Sequence, residues 1–197
     1  MNITLKVLPA YDGDSLLISF GDETNKKHIL VDGGRTQTSF RKLKEEIKLI
    51  EKRNECIDLL IITHIDRDHI AGILSIFKDP NINKNIIKKV WFNSGNNIAK
   101  KFAGSVDDSR NVKIYTDLEV EISIKQGISL ESELEKLNCW DGEIISSGHK
   151  LIMYGAKLTV LGPHDLELKK LHERWEIESG ELKTDISSNK SSESSSS

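Results

Sequence analysis

The chain has 197 residues, and its 28 basic and 31 acidic side chains leave a formal net charge of −3. This length is enough for one domain with a sizeable core. The balanced charge excludes a global electrostatic field that would select nucleic acid, although it leaves room for a local basic patch.

Features that would place the chain at or across a membrane are missing from the sequence. The first residues lack the charged region and long apolar core of a signal peptide, and no stretch approaches the ~18 uninterrupted apolar residues of a spanning helix. Cys56 and Cys139 stand far apart without a ligand pattern, which is typical of reduced thiols. We therefore expect a cytoplasmic protein with no membrane partner.

Alternating apolar segments and helical apolar spacing predict the secondary structure in chain order. The predicted strands lie at 2–9, 15–20, 27–32, 57–62, 89–93, 150–154 and 157–161. The predicted helices lie at 40–50, 69–78, 116–138 and 164–177, the third of them broken at Gly127. Early strands followed by helix–strand alternation indicate a layered α/β fold, classed as α+β. We assign residues 1–178 to this domain and the serine-rich residues 179–197 to a disordered tail or linker.

Two imidazoles and two carboxylates fall within six positions, at His64, Asp66, Asp68 and His69. They follow the apolar run 57–62 and precede an apolar-faced helix, so they leave the carboxyl end of a strand, where α/β folds commonly place their chemistry. Four such groups on one turn would repel or desolvate each other without a cation between them. A merely solvated polar loop is the less favoured interpretation.

The spacing of these four residues suits two ions. His64 and Asp66 lie two positions apart, so an extended loop can direct both at one ion. Asp68 and His69 are adjacent and can turn towards a second ion about 3.5–4 Å away. Imidazole and carboxylate ligands favour zinc, with manganese as a second candidate. The predicted cofactors are therefore two divalent metal ions.

The other histidines lack ligand spacing. We expect His28 to be an exposed strand residue and His172 to lie on the surface of the last helix. His149, in a turn after Gly148, is a further candidate ligand because of its loop position.

At the ligand loop the chain resembles the metallo-β-lactamase superfamily, whose signature is His-x-His-x-Asp-His. Asp66 replaces the second histidine of that signature, and the resulting His-x-Asp-x-Asp-His pattern resembles the branch that contains the hydrolase domain of bacterial DNA-uptake competence proteins. Residues 8–18, with their Gly-Asp-Ser turn, are similar to the opening hairpin of that branch. Residues 29–34 are similar to the family's first motif, a strand that ends in Asp32 and two glycines. The resemblance covers roughly residues 1–163.

The resemblance implies an αββα sandwich with metals between its two halves. It also implies that Asp32, together with Thr63, supports the ligand loop by hydrogen bonds without binding metal, and Asp14 is a candidate to approach the same cleft. The family's later bridging aspartate and final histidine are not found in the sequence. We therefore expect the N-terminal half with an incomplete second half, and a partner chain is a candidate to supply the remainder.

Two functions follow as hypotheses. The first is a metal-dependent hydrolase that acts on phosphodiester bonds of nucleic acid or nucleotides, with Asp68 as the catalytic residue that orients the attacking water. The alternative is a catalytically silent, truncated module with a sensing or scaffolding role. In either case an isolated half should expose the apolar face of strands 15–20, 27–32 and 57–62.

Overall fold

A computed structural model describes residues 2–22, 25–102, 118–173 and 175, with the backbone alone for 118–123. The predicted serine-rich tail, 179–197, lies outside the described residues.

The centre of the molecule is a five-stranded sheet in the order β1-β2-β3-β4-β5. Its strands are β1 (Asn2–Val7), β2 (Leu16–Asp22), β3 (Asn25–Val31), β4 (Ile57–Ile61) and β5 (Val90–Trp91). The first three strands pair antiparallel, whereas β3, β4 and β5 pair parallel. A second, two-stranded antiparallel sheet contains β6 (Lys150–Met153) and β7 (Ala156–Thr159), which confirms the predicted final hairpin.

Five helices lie in the described residues, of which the first two connect the parallel strands and the last three follow β5. They are α1 (Gln37–Lys52), α2 (Arg67–Lys78), α3 (Gly95–Phe102), α4 (Leu118–Leu134) and α5 (165–173), with a short 3₁₀ turn at Lys84–Ile86. The sequence analysis did not predict α3. Within the described residues, no helix combines the length and the apolar character that a bilayer crossing requires.

Helices α1 and α2 cover one face of the large sheet. The apolar stripe of α1 is buried at Leu43, Ile47 and Ile50, as its spacing predicts. These side chains join Leu30 and Leu60 of β3 and β4 in one hydrophobic cluster. The α1 helix begins with a capping box in which the Thr36 hydroxyl accepts from the Ser39 backbone N–H at 3.1 Å.

The hairpin β6–β7 covers the opposite face of the same sheet. Met153 and the preceding Ile145 pack with Ile29 and Leu59 from the sheet in a second hydrophobic cluster. The expectation that strands 15–20, 27–32 and 57–62 expose an apolar face is therefore wrong, because the hairpin supplies the second layer. The three layers are helices, sheet and hairpin, a mixed α/β arrangement that confirms the predicted layered α/β class.

Two histidines that we expected at the surface are buried, which corrects those predictions. His28 is 1% exposed. Its Nδ1 lies 2.8 Å from the Ser19 hydroxyl and its Nε2 lies 2.9 Å from a Glu55 carboxylate oxygen, so both ring nitrogens are satisfied inside the sheet. His172 is 3% exposed and stacks near Phe102, with ring centroids 6.3 Å apart.

Helix α4 continues through Gly127, so the predicted break there is wrong. A Cβ at this position would lie 2.9 Å from the Trp175 ring and 3.2 Å from the Ile65 side chain. The glycine therefore serves close packing rather than helix termination, since any larger residue would collide with its neighbours.

Apolar side chains do remain exposed on the edge strand β1, where Ile3, Leu5 and Val7 are 69%, 58% and 70% exposed. Unpaired edges with apolar side chains promote association between copies.

We expect the wild-type chain to bind a hydrophobic dye and to self-associate in sedimentation velocity, and Leu5→Lys to reduce both. Leu166→Lys, at a similarly exposed position in α5, is the matched control. A monodisperse wild-type chain that binds no dye would contradict this prediction.

Asp79 links the two helices of the first layer, because its carboxylate accepts from Lys44 of α1 directly after α2 ends. The hydrogen bond from Lys44 and the backbone N–H of Asn81 lower the pKa of Asp79 from 3.8 to about 2. A carboxylate whose pKa is lowered in the folded state stabilises the fold at pH values above its ordinary pKa, and this stabilisation is lost as pH falls towards 2.

We expect Asp79→Asn to lower the urea midpoint at pH 6. The difference in urea midpoint between wild type and Asp79→Asn should narrow between pH 4 and pH 2. Asp22→Asn is the control, and a difference that narrows equally in Asp22→Asn would contradict this prediction.

Candidate metal centre

The predicted ligand segment connects the carboxyl end of β4 to α2. Strand β4 ends at Ile61 and α2 begins at Arg67, with Asp66 as its N-cap residue. The helix starts two residues earlier than predicted, which places Asp68 as well as His69 in its first turn. A helix fixes the direction of these two side chains more firmly than a free loop would.

Asp32 is the buried support of this segment. It follows β3, is 0% exposed, and adopts a left-handed backbone conformation with φ of +54°. Its Oδ2 lies 2.9 Å from Nδ1 of His69. A carboxylate oxygen accepts, so the imidazole carries its proton on Nδ1 and keeps Nε2 free as a ligand atom. That Nε2 lies 3.5 Å from the Asp68 carboxylate.

Thr63 extends the same support to the other histidine. Its backbone N–H donates to Asp32 Oδ1 at 2.9 Å, and its hydroxyl donates to Asp32 Oδ2 at 2.5 Å. The hydroxyl proton is then committed, so Thr63 Oγ1 accepts from His64 Nδ1 at 2.8 Å. The Nε2 atom of His64 remains free and lies 3.6 Å from the Asp66 carboxylate.

These contacts bring the two imidazoles together, with ring centroids 3.8 Å apart. Within the described ranges, Asp32, His64 and His69 form a group whose potential ligand atoms all lie within 4.8 Å of one another. Three donors already occupy the oxygens of Asp32, and its burial keeps it behind the imidazoles. We therefore treat it as the support of the site rather than as a ligand.

The two ligand-loop carboxylates remain available on the solvent side. Asp66 occupies an N-cap position, where an aspartate normally accepts from the following backbone N–H groups, yet it makes no such bond. The Asp66 and Asp68 side chains are 65% and 26% exposed. Two imidazole nitrogens and two free carboxylates are a donor set that fits zinc or manganese.

The two further candidates have different positions. Asp14 lies beside the centre, with Oδ2 4.0 Å from His69 Nδ1 and a side chain that is 62% exposed. His149 packs its ring edge-on against Trp91 at 5.0 Å and places Nδ1 3.6 Å from Glu143. The structure thus brings six predicted residues and Asp14 together and engages His149 elsewhere. The assignment of ligands to two ions stays a prediction.

Close backbone contacts at glycines, which sequence reasoning did not assign to the site, hold its segments together. A Cβ on Gly72 would lie 1.9 Å from the Gly33 carbonyl oxygen, and one on Gly13 would lie 1.9 Å from the Asp68 carbonyl oxygen. Backbone hydrogen bonds join the loop after β3 to α2: Gly33 N–H donates to the His69 carbonyl at 2.9 Å, and Gly72 N–H donates to the Gly34 carbonyl at 2.8 Å. The sequence does contain a glycine in each of the three segments, at Gly13, Gly33 and Gly72, but their spacing alone does not reveal that these segments are in contact.

Comparison with known proteins agrees with this geometry. A family model described as the metallo-beta-lactamase superfamily matches residues 9–137, a range that includes Asp32 and the ligand segment. Exodeoxyribonuclease WalJ from two strains of Streptococcus pneumoniae is 30% identical to the chain over 110 residues. That alignment covers 52% of this chain and 39% of the relative, so the match spans about two fifths of the length of these curated relatives.

We expect Asp32→Asn to lower zinc affinity about 10- to 100-fold, the usual cost of losing such a supporting partner. The asparagine has nearly the same shape but can no longer accept at both oxygens, so the orientation of both imidazoles is lost. Chelator competition measures the affinity, and circular dichroism checks the fold. Thr63→Val should weaken binding through His64, whereas Thr63→Ser, which keeps the hydroxyl, should not. Wild-type affinity in Asp32→Asn would contradict the supporting role.

Proposed function

The chain belongs to the metallo-beta-lactamase superfamily, and from that membership we propose that it is a metal-dependent hydrolase of phosphodiester bonds. The observation that carries the proposal is the shared support by Asp32 and Thr63. Their oxygens accept hydrogen bonds from Nδ1–H of His69 and His64, which leaves both Nε2 atoms beside the Asp66 and Asp68 carboxylates. An arrangement of this kind is organised before any metal arrives.

The proposed ligand sets follow from the distances. His64 and Asp66 hold one divalent ion, and Asp68 and His69 hold the second. When bound, such ions polarise a phosphoryl oxygen and lower the pKa of a water molecule towards about 7. Each ion then has two protein ligands from this segment, while catalytic zinc usually has three. The remaining positions are left for Asp14, for water and substrate, or for a ligand from a partner chain.

Asp68 is the proposed catalytic residue. Its carboxylate lies beside His69 Nε2, in the first turn of α2, where the helix dipole stabilises negative charge. From there it can accept a hydrogen bond from the attacking water and orient that water towards phosphorus. Asp66 is more exposed and lies beside His64, so it is the less suitable of the two for this role.

The choice of phosphodiesters rests on two supports. The relatives from Streptococcus pneumoniae are named as exodeoxyribonucleases, although the match covers 39% of their length. The second support is Asp66, which departs from the histidine of the β-lactamase signature. We therefore propose nucleic acid as the substrate and disfavour β-lactams.

A metal-binding module without hydrolytic activity is the second candidate function. The observation in its favour is the small number of ligands, since only two side chains from the ligand segment face each proposed ion. Such a module would bind metal and turn over no substrate, so metal affinity and activity must be measured separately.

Asp68→Ala should reduce hydrolysis of bis(p-nitrophenyl) phosphate about 100-fold or more in protein supplied with zinc or manganese, because the second ion loses a ligand and the water loses its orienting group. Asp68 is a quarter exposed, so its removal creates no core cavity and circular dichroism should not change. Asp165→Ala, at a carboxylate in the first turn of α5, is the matched control and should keep wild-type activity.

Three outcomes distinguish the candidates. Activity that disappears in Asp68→Ala alone supports the hydrolase. Tight metal binding by wild type without turnover of bis(p-nitrophenyl) phosphate or DNA favours the silent module. A wild-type chain that binds neither zinc nor manganese overturns both.

A further inference from the structure

Two exposed side chains stand at the rim of the candidate metal centre. Tyr11 is 74% exposed, and the guanidinium carbon of Arg35 lies 5.3 Å from the centroid of its ring. The same guanidinium lies 3.4 Å from the carboxylate of Asp12. The aromatic ring and the cation thus form a pair that is open to solvent on one side.

The pair is formed by two loops, between β1 and β2 for Tyr11 and between β3 and α1 for Arg35, and both loops contact the ligand segment or the helix that follows it. Gly13 approaches the Asp68 carbonyl oxygen so closely that it has no room for a Cβ. The Asp14 carbonyl accepts from Gly34 N at 2.9 Å, next to Arg35 in sequence. Both residues of the pair are therefore anchored by neighbours that contact the metal centre.

The backbone of Tyr11 adopts an unusual conformation for a bulky residue, with φ of +71°. Three other non-glycine residues in the described ranges share a positive φ, and each has a structural reason: Asn54 follows the end of α1, Tyr154 precedes Gly155 in the hairpin turn, and Asp32 supports the imidazoles. Tyr11 also lies in a turn, at residues 11–12, and burial of its ring does not account for its conformation because the ring is exposed. Strained residues of this kind cluster at functional sites, where the surrounding structure holds them in place.

We propose that Tyr11 and Arg35 form a binding site for an unpaired nucleotide of a single-stranded DNA substrate, beside the phosphodiester that the metal centre holds. The base stacks on the Tyr11 ring, and Arg35 binds the adjoining phosphate. The proposal rests on the phosphodiester function and names the form of its substrate. A base inside a duplex already stacks on its neighbours, so an exposed single ring selects an unpaired one.

Charge supports the role of Arg35. The carboxylates of Asp12, Asp14, Asp66 and Asp68 surround this part of the surface and repel a polyanion that is not held by metal. A guanidinium presents paired donors that match a phosphate, and the ring beside it contributes a sequence-tolerant contact.

A second tyrosine offers a matched comparison within the same chain. Tyr154 is 61% exposed, and Lys27 lies 3.9 Å from its ring centroid. That pair is at the other end of β3 from Asp32, about 16 Å away along five strand residues. It therefore offers an exposed tyrosine ring beside a cation, but at a distance from the metal centre.

The test measures binding of a fluorescein-labelled single-stranded DNA to the full chain by anisotropy, with zinc present and with a phosphorothioate backbone that resists cleavage. Stacking on one base is worth about 1–3 kcal/mol, so Tyr11→Ala should weaken binding about 5- to 150-fold. Tyr11→Phe should retain most of the affinity, and Tyr154→Ala all of it. Arg35→Ala should reduce the slope of log affinity against log salt by about 0.7, the value for one single-strand phosphate. Blunt duplex should bind more weakly and show no dependence on Tyr11.

Two separate readouts keep this proposal distinct from the hydrolase. Zinc affinity should be unchanged in Tyr11→Ala, because Tyr11 is not a ligand. If wild type fails to cleave bis(p-nitrophenyl) phosphate while single-stranded DNA binding still depends on Tyr11, the hydrolase fails and the binding site stands. If wild type cleaves that substrate but Tyr11→Ala binds single-stranded DNA normally, or Tyr154→Ala loses as much, the binding site is overturned.

Discussion

The buried carboxylate of Asp32 is the constraint on which the rest of the centre depends. A carboxylate removed from water must be fully hydrogen-bonded, and its partners here are the backbone and hydroxyl of Thr63 and the imidazole of His69. Each partner lies on the segment that carries the proposed ligands. Satisfying one buried charge therefore also orients both histidines, directly for His69 and through the threonine hydroxyl for His64.

The backbone around this carboxylate is packed more tightly than side chains would allow. Gly33 and Gly72 bring the loop after β3 against α2, and Gly13 brings the loop before β2 against Asp68. Parallel pairing of β3 with β4 places the ends of both strands at the same edge of the sheet. Three segments that are distant in sequence thus share one small volume, and the ligand loop gains a rigid support.

The two faces of the sheet serve different purposes. Helices α1 and α2 bury one face, and α2 also carries Asp68 and His69 in its first turn. The hairpin β6–β7 buries the other face from β2 to β5 but leaves the apolar side chains of β1 exposed. Tyr11 and Arg35 lie on two loops rather than in either core, and a loop is where a substrate contact can vary without loss of stability.

The sequence by itself determined the ligand segment, the hairpin and the α/β class, because local spacing and apolar periodicity encode them. The supporting role of Asp32 came instead from the resemblance of residues 29–34 to the family's first motif. It misplaced His28, which alternation marks as a strand residue but which long-range partners, Ser19 and Glu55, make a buried one. It also predicted a helix break at Gly127, because the helix propensity of glycine is low. Propensity does not reveal that the Trp175 ring packs where a side chain at this position would lie. Only the tertiary structure decided that the sheet's second face is covered, that the glycines meet, and that Tyr11 and Arg35 lie beside the metal centre. These facts depend on contacts between segments that are distant in sequence, and no local pattern records such contacts.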